Sequence, residues 1–206
     1  MGTLINGLLF AEDLERFESR IDPCTAIFVA RLVKGKGIWL ALEAAKIIAR
    51  HEPKFRLIVV GNGIELTKAK SWVAANGLTE SIKFAGYQAD VTPYYEEADF
   101  VWIPTDPKIM REGMPLVALE AQAHALPSLF SNSGGLPETQ IEGETGICID
   151  PYTPEKLVSI STSLMNDTQK YNFMREKIRD HRKVWSIDKM IQAYTESYVR
   201  ELMLST

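Results

Sequence analysis

Two carboxylates flank a predicted helix start. Glu112 and Glu120 are separated by seven residues, and Pro115 between them favours the first turn of a helix, where its missing N–H costs nothing. The free N–H groups and the dipole of a helix start hold an anion, most naturally a phosphate. Carboxylates repel phosphate but accept hydrogen bonds from sugar hydroxyls. We therefore predict a sugar-nucleotide pocket around a helix that begins near Met114 or Pro115; the alternative is a pair of solvated helix charges.

Two cations follow the first predicted strand. Residues 26–30 form a short apolar run, typical of a buried parallel strand, and Arg31 and Lys36 lie in the loop after it. Ligands bind to open parallel sheets at the carboxyl ends of the strands. Arg31 can donate a fork of hydrogen bonds and Lys36 carries a compact charge, so together they can neutralise a diphosphate. Lys34 lies between them and is interpreted as a solvated charge.

The elements that must position these residues alternate along the chain. Short apolar runs predict strands, and the segments between them have helical periodicity. This alternation indicates an α/β fold: a Rossmann-like parallel sheet of about six strands, flanked by helices, with right-handed crossovers. The predicted strands are 26–30, 56–60, 82–86, 99–103, 127–130 and 146–149, and the predicted helices are 38–50, 65–76, 90–98, 114–125, 154–165, 168–179 and about 185–204.

Several linked motifs follow one another around the two carboxylates. They are Glu112-Gly-Met-Pro, Glu120-Ala, Leu126-Pro127 and Ser133-Gly-Gly-Leu-Pro-Glu138. With these motifs in this order, the chain resembles the group 1 glycosyltransferases, a family of retaining, nucleotide-sugar-dependent enzymes whose two-domain architecture is called GT-B. The resemblance corresponds to the C-terminal, donor-binding half of such an enzyme. It implies that residues 1–22 form a linker between the two domains and that residues 23–206 form the nucleotide-sugar-binding domain.

The resemblance also implies roles for individual residues. Arg31 and Lys36 match the diphosphate-binding cations, and Glu112 joins them in the catalytic set. Glu120 is expected to bind the ribose diol and Glu112 the sugar. No cofactor and no metal at the diphosphate are expected, and the sequence contains no Asp-x-Asp element. The predicted substrate-binding residues are Gly86, Tyr87, Gly113, Met114, Pro115, Leu116, Glu120, Gly134 and Gly135.

Some of these residues allow two interpretations. Tyr87 either stacks on the base or packs at a strand end. Gly134 and Gly135 are predicted to bring backbone close to the ligand and to offer N–H groups to an anion. Glu138 is either the last glutamate of the family motif or a residue of a helix start. Arg111 either pairs with its neighbour Glu112 or reaches the donor.

Three further features complete the site prediction. Gly61 and Gly63 lack the third glycine of a dinucleotide motif, so they are interpreted as a tight turn that keeps side chains out of the pocket. His124 shares a helix face with Glu120 but has no metal-motif context, which favours a helix-face role. The loop over residues 104–111 is longer than is usual in the family and is expected to affect donor or acceptor selection.

Composition narrows the function classes. The 206 residues are 46% hydrophobic and 24% charged, typical of a globular protein. The net charge of −4 argues against nucleic acid or an anionic membrane as a partner. No apolar run reaches the length of about 20 residues that a membrane span requires, and no signal peptide is evident. We therefore expect a cytoplasmic protein, peripheral to the membrane only through the second domain of the full enzyme.

The sequence thus predicts a donor domain that binds a nucleoside-diphosphate sugar for retaining transfer to an acceptor. Its expected partners are the donor and an N-terminal, acceptor-binding domain, which catalysis would need. Two alternatives stay open at this point. One is a sugar-nucleotide epimerase of similar architecture, and the other is a non-catalytic nucleotide-binding module.

Overall fold

The computed structural model describes residues 22–182 and Thr195. The predicted linker over residues 1–22 therefore lies outside the described residues except for Asp22. The predicted closing helix over residues 185–204 lies outside them except for Thr195. Among the described residues, no helix is long and apolar enough to cross a membrane.

A six-stranded sheet forms the centre of the structure, and all of its strand pairs are parallel. The strand order is β3-β2-β1-β4-β5-β6. This confirms the predicted Rossmann-like sheet, and each predicted strand is present with its ends shifted by no more than one residue. The strands are β1 Thr25–Val29, β2 Arg56–Val60, β3 Ile82–Gly86, β4 Phe100–Ile103, β5 Ser128–Phe130 and β6 Gly146–Cys148.

Helices cover both faces of the sheet because successive strand residues point to opposite sides. Phe28 and Trp102 pack into one apolar cluster, whereas Ile27 and Val101 belong to a second one. Residues of α1, α2, α5 and α6 contribute to the first cluster, and residues of α3 and α4 to the second. The helices are α1 Ile38–His51, α2 Leu66–Ala75, α3 Thr92–Glu97, α4 Leu116–Ala123, α5 Pro154–Asn166 and α6 Thr168–His181.

The start of α4 differs slightly from the prediction. Pro115 has φ −77° and ψ 93°, so it precedes the helix in an extended conformation and Leu116 is the first helical residue. The helix also ends at Ala123, earlier than predicted, and Ala125 then adopts a positive φ of 53°. By contrast, α6 begins with a side-chain cap, because the Asp167 side chain accepts the N–H of Lys170.

The strand order fixes where a ligand can bind. The chain runs outward from β1 through β2 to β3, and then returns to place β4 on the other side of β1. The loops that follow β1 and β4 therefore diverge and leave a crevice at the carboxyl ends of these two strands. The β1–α1 loop contains Arg31 and Lys36, and the β4–α4 loop contains Glu112.

Candidate functional site

Lys36 is placed in the crevice by two glycines. Gly35 and Gly37 have φ values of 99° and 81°, which L side chains rarely adopt. A Cβ atom at Gly37 would also clash with the Pro104 carbonyl at the end of β4. The Asp106 N–H donates to the Gly35 carbonyl at 2.8 Å. The β1–α1 loop is thus held against the β4–α4 loop with Lys36 between its two glycines.

Lys36 and Glu112 form an ion pair across the crevice. The distance from Lys36 Nζ to Glu112 Oε1 is 2.6 Å, and the Thr105 hydroxyl donates to the same oxygen. The two charged side chains are 18% and 12% exposed. Both can still reach a ligand, since an ammonium has three donors and a carboxylate has two oxygens. The structure therefore brings together two of the three residues predicted to be catalytic. Arg111 is exposed, and the ion pair of Glu112 is with Lys36.

Arg31 lies on the other side of the β1 end. It lines a pocket of about 300 Å³, which Gly61, Asn62, Tyr87 and Gln88 also line. Val29 and Ala30 line both this pocket and a smaller cavity beside Lys36 and Glu112. The predicted cations are consequently neighbours around one strand end, each next to a different cavity.

Of the two predicted base-site residues, Tyr87 lines the larger pocket, and Gly86 directly precedes it in the chain. Tyr87 is 76% exposed, so the interpretation of this ring as a packing residue is wrong. Gly86 adopts a φ of 72°, and its carbonyl accepts the Gly61 N–H at 2.7 Å. Side chains at Gly61 and Gly63 would clash with the Ala30 and Leu32 carbonyls. The two glycines therefore let the β2–α2 loop pack directly on the β1–α1 loop.

The double glycine packs against the loop that carries Glu112. Side chains at Gly134 and Gly135 would clash with the backbone of Glu112 and Gly113. The Gly135 N–H donates to the Glu112 carbonyl at 2.8 Å. The prediction that both N–H groups are free for an anion is thus wrong for Gly135, whose N–H is used within the protein. These glycines support the loop that carries Glu112.

The start of α4 lies next to this loop. The N–H of Ala118 donates to the Pro115 carbonyl, which leaves the earlier N–H groups without intrahelical acceptors, as at any helix start. Met114 is 55% exposed, whereas Pro115 is buried. Glu138 lies in a short 3-10 helix, Pro137–Thr139, so its helix-start interpretation agrees with the structure.

Glu120, the second carboxylate of the motif, is held by a buried tyrosine. The Tyr95 hydroxyl donates to Glu120 Oε2 at 2.8 Å, and the Tyr95 side chain is 1% exposed. His124 stacks on the Tyr95 ring with 5.1 Å between ring centroids. The contact between Tyr95 and Glu120 gives no sequence signal, because packing alone explains a tyrosine at that position.

The environment of His124 predicts a pH effect on stability. Burial lowers the pKa of His124 from its usual 6.5, against a smaller opposing effect of Glu96 and Asp90. The unfolded chain then binds a proton that the folded chain excludes, so stability falls as the pH drops below about 6.5. The variant His124→Phe keeps an aromatic ring stacked on Tyr95 and removes the group that binds this proton.

Urea denaturation between pH 5.5 and 8 measures the effect. The variant should lose less stability than the wild type on acidification, by at most about 1.4 kcal/mol per pH unit. The other two histidines are present in both proteins and cancel in the difference. If the free energy of unfolding depended on pH in the same way in both proteins, the lowered pKa assigned to His124 would be contradicted.

Comparison with known proteins assigns the chain to a family. The family model described as "Glycosyl transferases group 1" matches residues 11–181. The chain belongs to the group 1 glycosyltransferases. A relative from Haemophilus influenzae, named only as an uncharacterized glycosyltransferase, is 28% identical over 190 residues. This alignment covers 92% of the chain and 52% of the relative.

Solved structures of glycosyltransferases share the fold. Anabaena HepE, whose structure contains UDP, superposes with a TM-score of 0.77 at 21% identity, over 87% of the chain and 49% of HepE. The C-terminal domain of the group 1 protein LpcC from Francisella tularensis superposes with a TM-score of 0.70 at 24% identity, over 81% of the chain and 89% of that domain.

The chain spans about half the length of the Haemophilus glycosyltransferase and of HepE. By contrast, the chain aligns with most of the LpcC structure, which contains a C-terminal domain only. The predicted family and the Rossmann-like fold of GT-B glycosyltransferases are confirmed. The family match favours a transferase over the epimerase alternative.

Proposed function

We propose that this group 1 glycosyltransferase chain is a donor-binding domain that takes a nucleoside-diphosphate sugar for retaining transfer to an acceptor. The observation that carries the proposal is the Lys36–Glu112 ion pair, which lies at the switch point of a parallel sheet and is only partly exposed. A cation for phosphate and a carboxylate for hydroxyls thus lie side by side. UDP in the related HepE structure supports the same class of ligand.

Different parts of the donor bind at different places around the two cavities. The base enters the pocket of about 300 Å³, where the exposed ring of Tyr87 offers a stacking surface. Glu120 accepts hydrogen bonds from the ribose hydroxyls. The diphosphate lies between Arg31, Lys36 and the start of α4, and the sugar lies against Glu112.

The chemical step follows from the charges at the crevice. When the bond between the sugar carbon and the diphosphate breaks, negative charge develops on the leaving phosphate oxygen. Lys36 is fixed by Glu112 before the ligand arrives, so its charge stabilises this oxygen without reorganisation. Arg31 and the N–H groups of the α4 start add to this stabilisation. We propose that neither a metal nor a cofactor takes part.

The remaining partners belong to the whole enzyme. An N-terminal domain supplies the acceptor site and the second wall of the crevice. The protein acts in the cytoplasm, and any contact with a membrane is made through that second domain. These proposals rest on the resemblance to GT-B enzymes and on the half-length match to the Haemophilus relative and to HepE.

Nucleotide binding tests the proposal. Melting of the chain with UDP, GDP and ADP in EDTA should show stabilisation by at least one of them, about 2.7 kcal/mol at a hundred times its Kd. Glu120→Gln should weaken this binding at least about tenfold, because a hydrogen bond to a charged group is lost. Glu43→Gln, an exposed change on the outer face of α1, is the matched control.

Calorimetry on the same proteins gives the dissociation constants. Glu112→Gln should weaken the nucleotide sugar more than the free nucleotide, since Glu112 is assigned to the sugar. The absence of any melting shift at millimolar nucleotide would remove the proposed site. Binding that requires magnesium would contradict its metal-free part.

A further inference from the structure

We infer that Tyr95 is a positioning residue for nucleotide recognition, because it fixes the carboxylate of Glu120 before the ligand binds. The inference rests on the proposed function, in which Glu120 accepts the ribose hydroxyls. Tyr95 is on α3 and Glu120 on α4, and 25 positions of sequence separate them. The contact joins two helices on the same face of the sheet.

The Tyr95 hydroxyl is held in place from several sides. Its ring is buried in the apolar cluster that includes Val101, Ala118 and Ala121. His124 covers it, with ring planes 16° apart. A side chain held in this way has a single arrangement, so its hydroxyl presents a fixed donor 2.8 Å from Glu120 Oε2.

The direction of the hydrogen bond is also fixed. Burial, and to a smaller degree the charge of Glu120, raises the pKa of Tyr95. The phenol therefore stays protonated and donates, while the carboxylate of Glu120 accepts. Glu120 is partly exposed, so its carboxylate links a buried donor to the surface of the domain.

A fixed carboxylate recognises a diol better than a free one. A glutamate side chain has several rotatable bonds, and a ligand that orders them loses binding free energy. The hydrogen bond from Tyr95 restricts these rotations in the unliganded protein and uses one acceptor position of Glu120 Oε2. The other oxygen of Glu120 then keeps a defined position for a ribose hydroxyl. Tyr95 should consequently control how strongly the site distinguishes ribose from deoxyribose.

Tyr95→Phe isolates this effect, because it removes one oxygen and keeps the ring that packs in the core. Calorimetry would compare UDP and GDP with their 2′-deoxy and 3′-deoxy forms. The wild type should prefer the ribonucleotide about tenfold or more. Tyr95→Phe should weaken the ribonucleotide about fivefold to tenfold and bring the ribose-to-deoxyribose ratio towards one. Tyr94→Phe, at the neighbouring half-buried tyrosine, should keep the wild-type ratio.

The double variant Tyr95→Phe/Glu120→Gln links the effect to Glu120. Its affinity should equal that of Glu120→Gln alone, since Tyr95 acts only through that carboxylate. A Tyr95→Phe protein that melts lower but keeps the wild-type ratio would overturn the inference and leave only a structural role for the hydroxyl. In that case, weaker nucleotide binding by Glu120→Gln would still support the proposed function. Unchanged affinity in Glu120→Gln would remove both.

Discussion

Replacing Lys36 by Met in the complete enzyme should lower kcat by about a hundredfold to a thousandfold. Lys36 is the half-buried cation next to the predicted diphosphate site, and it is held by Glu112 at 2.6 Å. Loss of one preorganised donor at a developing negative charge has this size in enzymes that stabilise oxyanions. Methionine keeps most of the length of the lysine side chain, so the change removes mainly the charge. Steady-state transfer assays with the purified enzyme measure the effect.

Two controls separate catalysis from folding. Lys34→Met removes an exposed cation from the same loop and should leave kcat within about twofold of the wild type, as is usual for a surface change. Lys36→Met leaves Glu112 without its cation, which destabilises a partly buried carboxylate. The double variant Lys36→Met/Glu112→Gln removes both charges and should recover stability but not kcat. A Lys36→Met enzyme with wild-type kcat would contradict the role assigned to this residue.

The fold could be predicted because its signals are local. Most strands are short apolar runs, and residues 56–60 and 82–86 were predicted with the bounds that the structure has. The proximity of Lys36 and Glu112 also follows from the sequence, since both come after strands and the carboxyl ends of parallel strands share an edge. The start of α4 was predicted within two residues, because a proline marks it but does not show whether its own backbone is helical.

The unpredicted parts of the site are tertiary contacts. The bond between Tyr95 and Glu120 joins two helices, and nothing in either segment selects the other. Gly134 and Gly135 were assigned to the ligand because glycine permits any close approach. The structure shows that one group close to both glycines is the protein's own loop at Glu112. A glycine motif indicates that another group packs closely against the backbone, and only the fold shows which group that is.

The 206-residue chain alone should bind the donor without transferring its sugar. Transfer needs an acceptor held against the sugar carbon, and positioning two reactants can supply about 7–11 kcal/mol of the barrier. The assigned residues Arg31, Lys36, Glu112 and Glu120 all belong to the donor side of the crevice. The chain spans about half the length of the Haemophilus relative and of HepE, so we assign the acceptor side to the remaining half. Assays with radiolabelled donor should detect binding and at most slow donor hydrolysis.

Adding the second domain tests why the chain alone should not transfer the sugar. Co-expression with the N-terminal half, or expression of the complete gene, should restore transfer by several orders of magnitude, because the acceptor is then held in position. The same complex carrying Lys36→Met should bind acceptor normally and stay slow, which shows that the restored activity uses the donor site of this chain. Rapid transfer by the purified chain alone would mean that its own residues position the acceptor. The crevice between the β1 and β4 loops would then have to hold both substrates, and the division into donor and acceptor domains would be wrong.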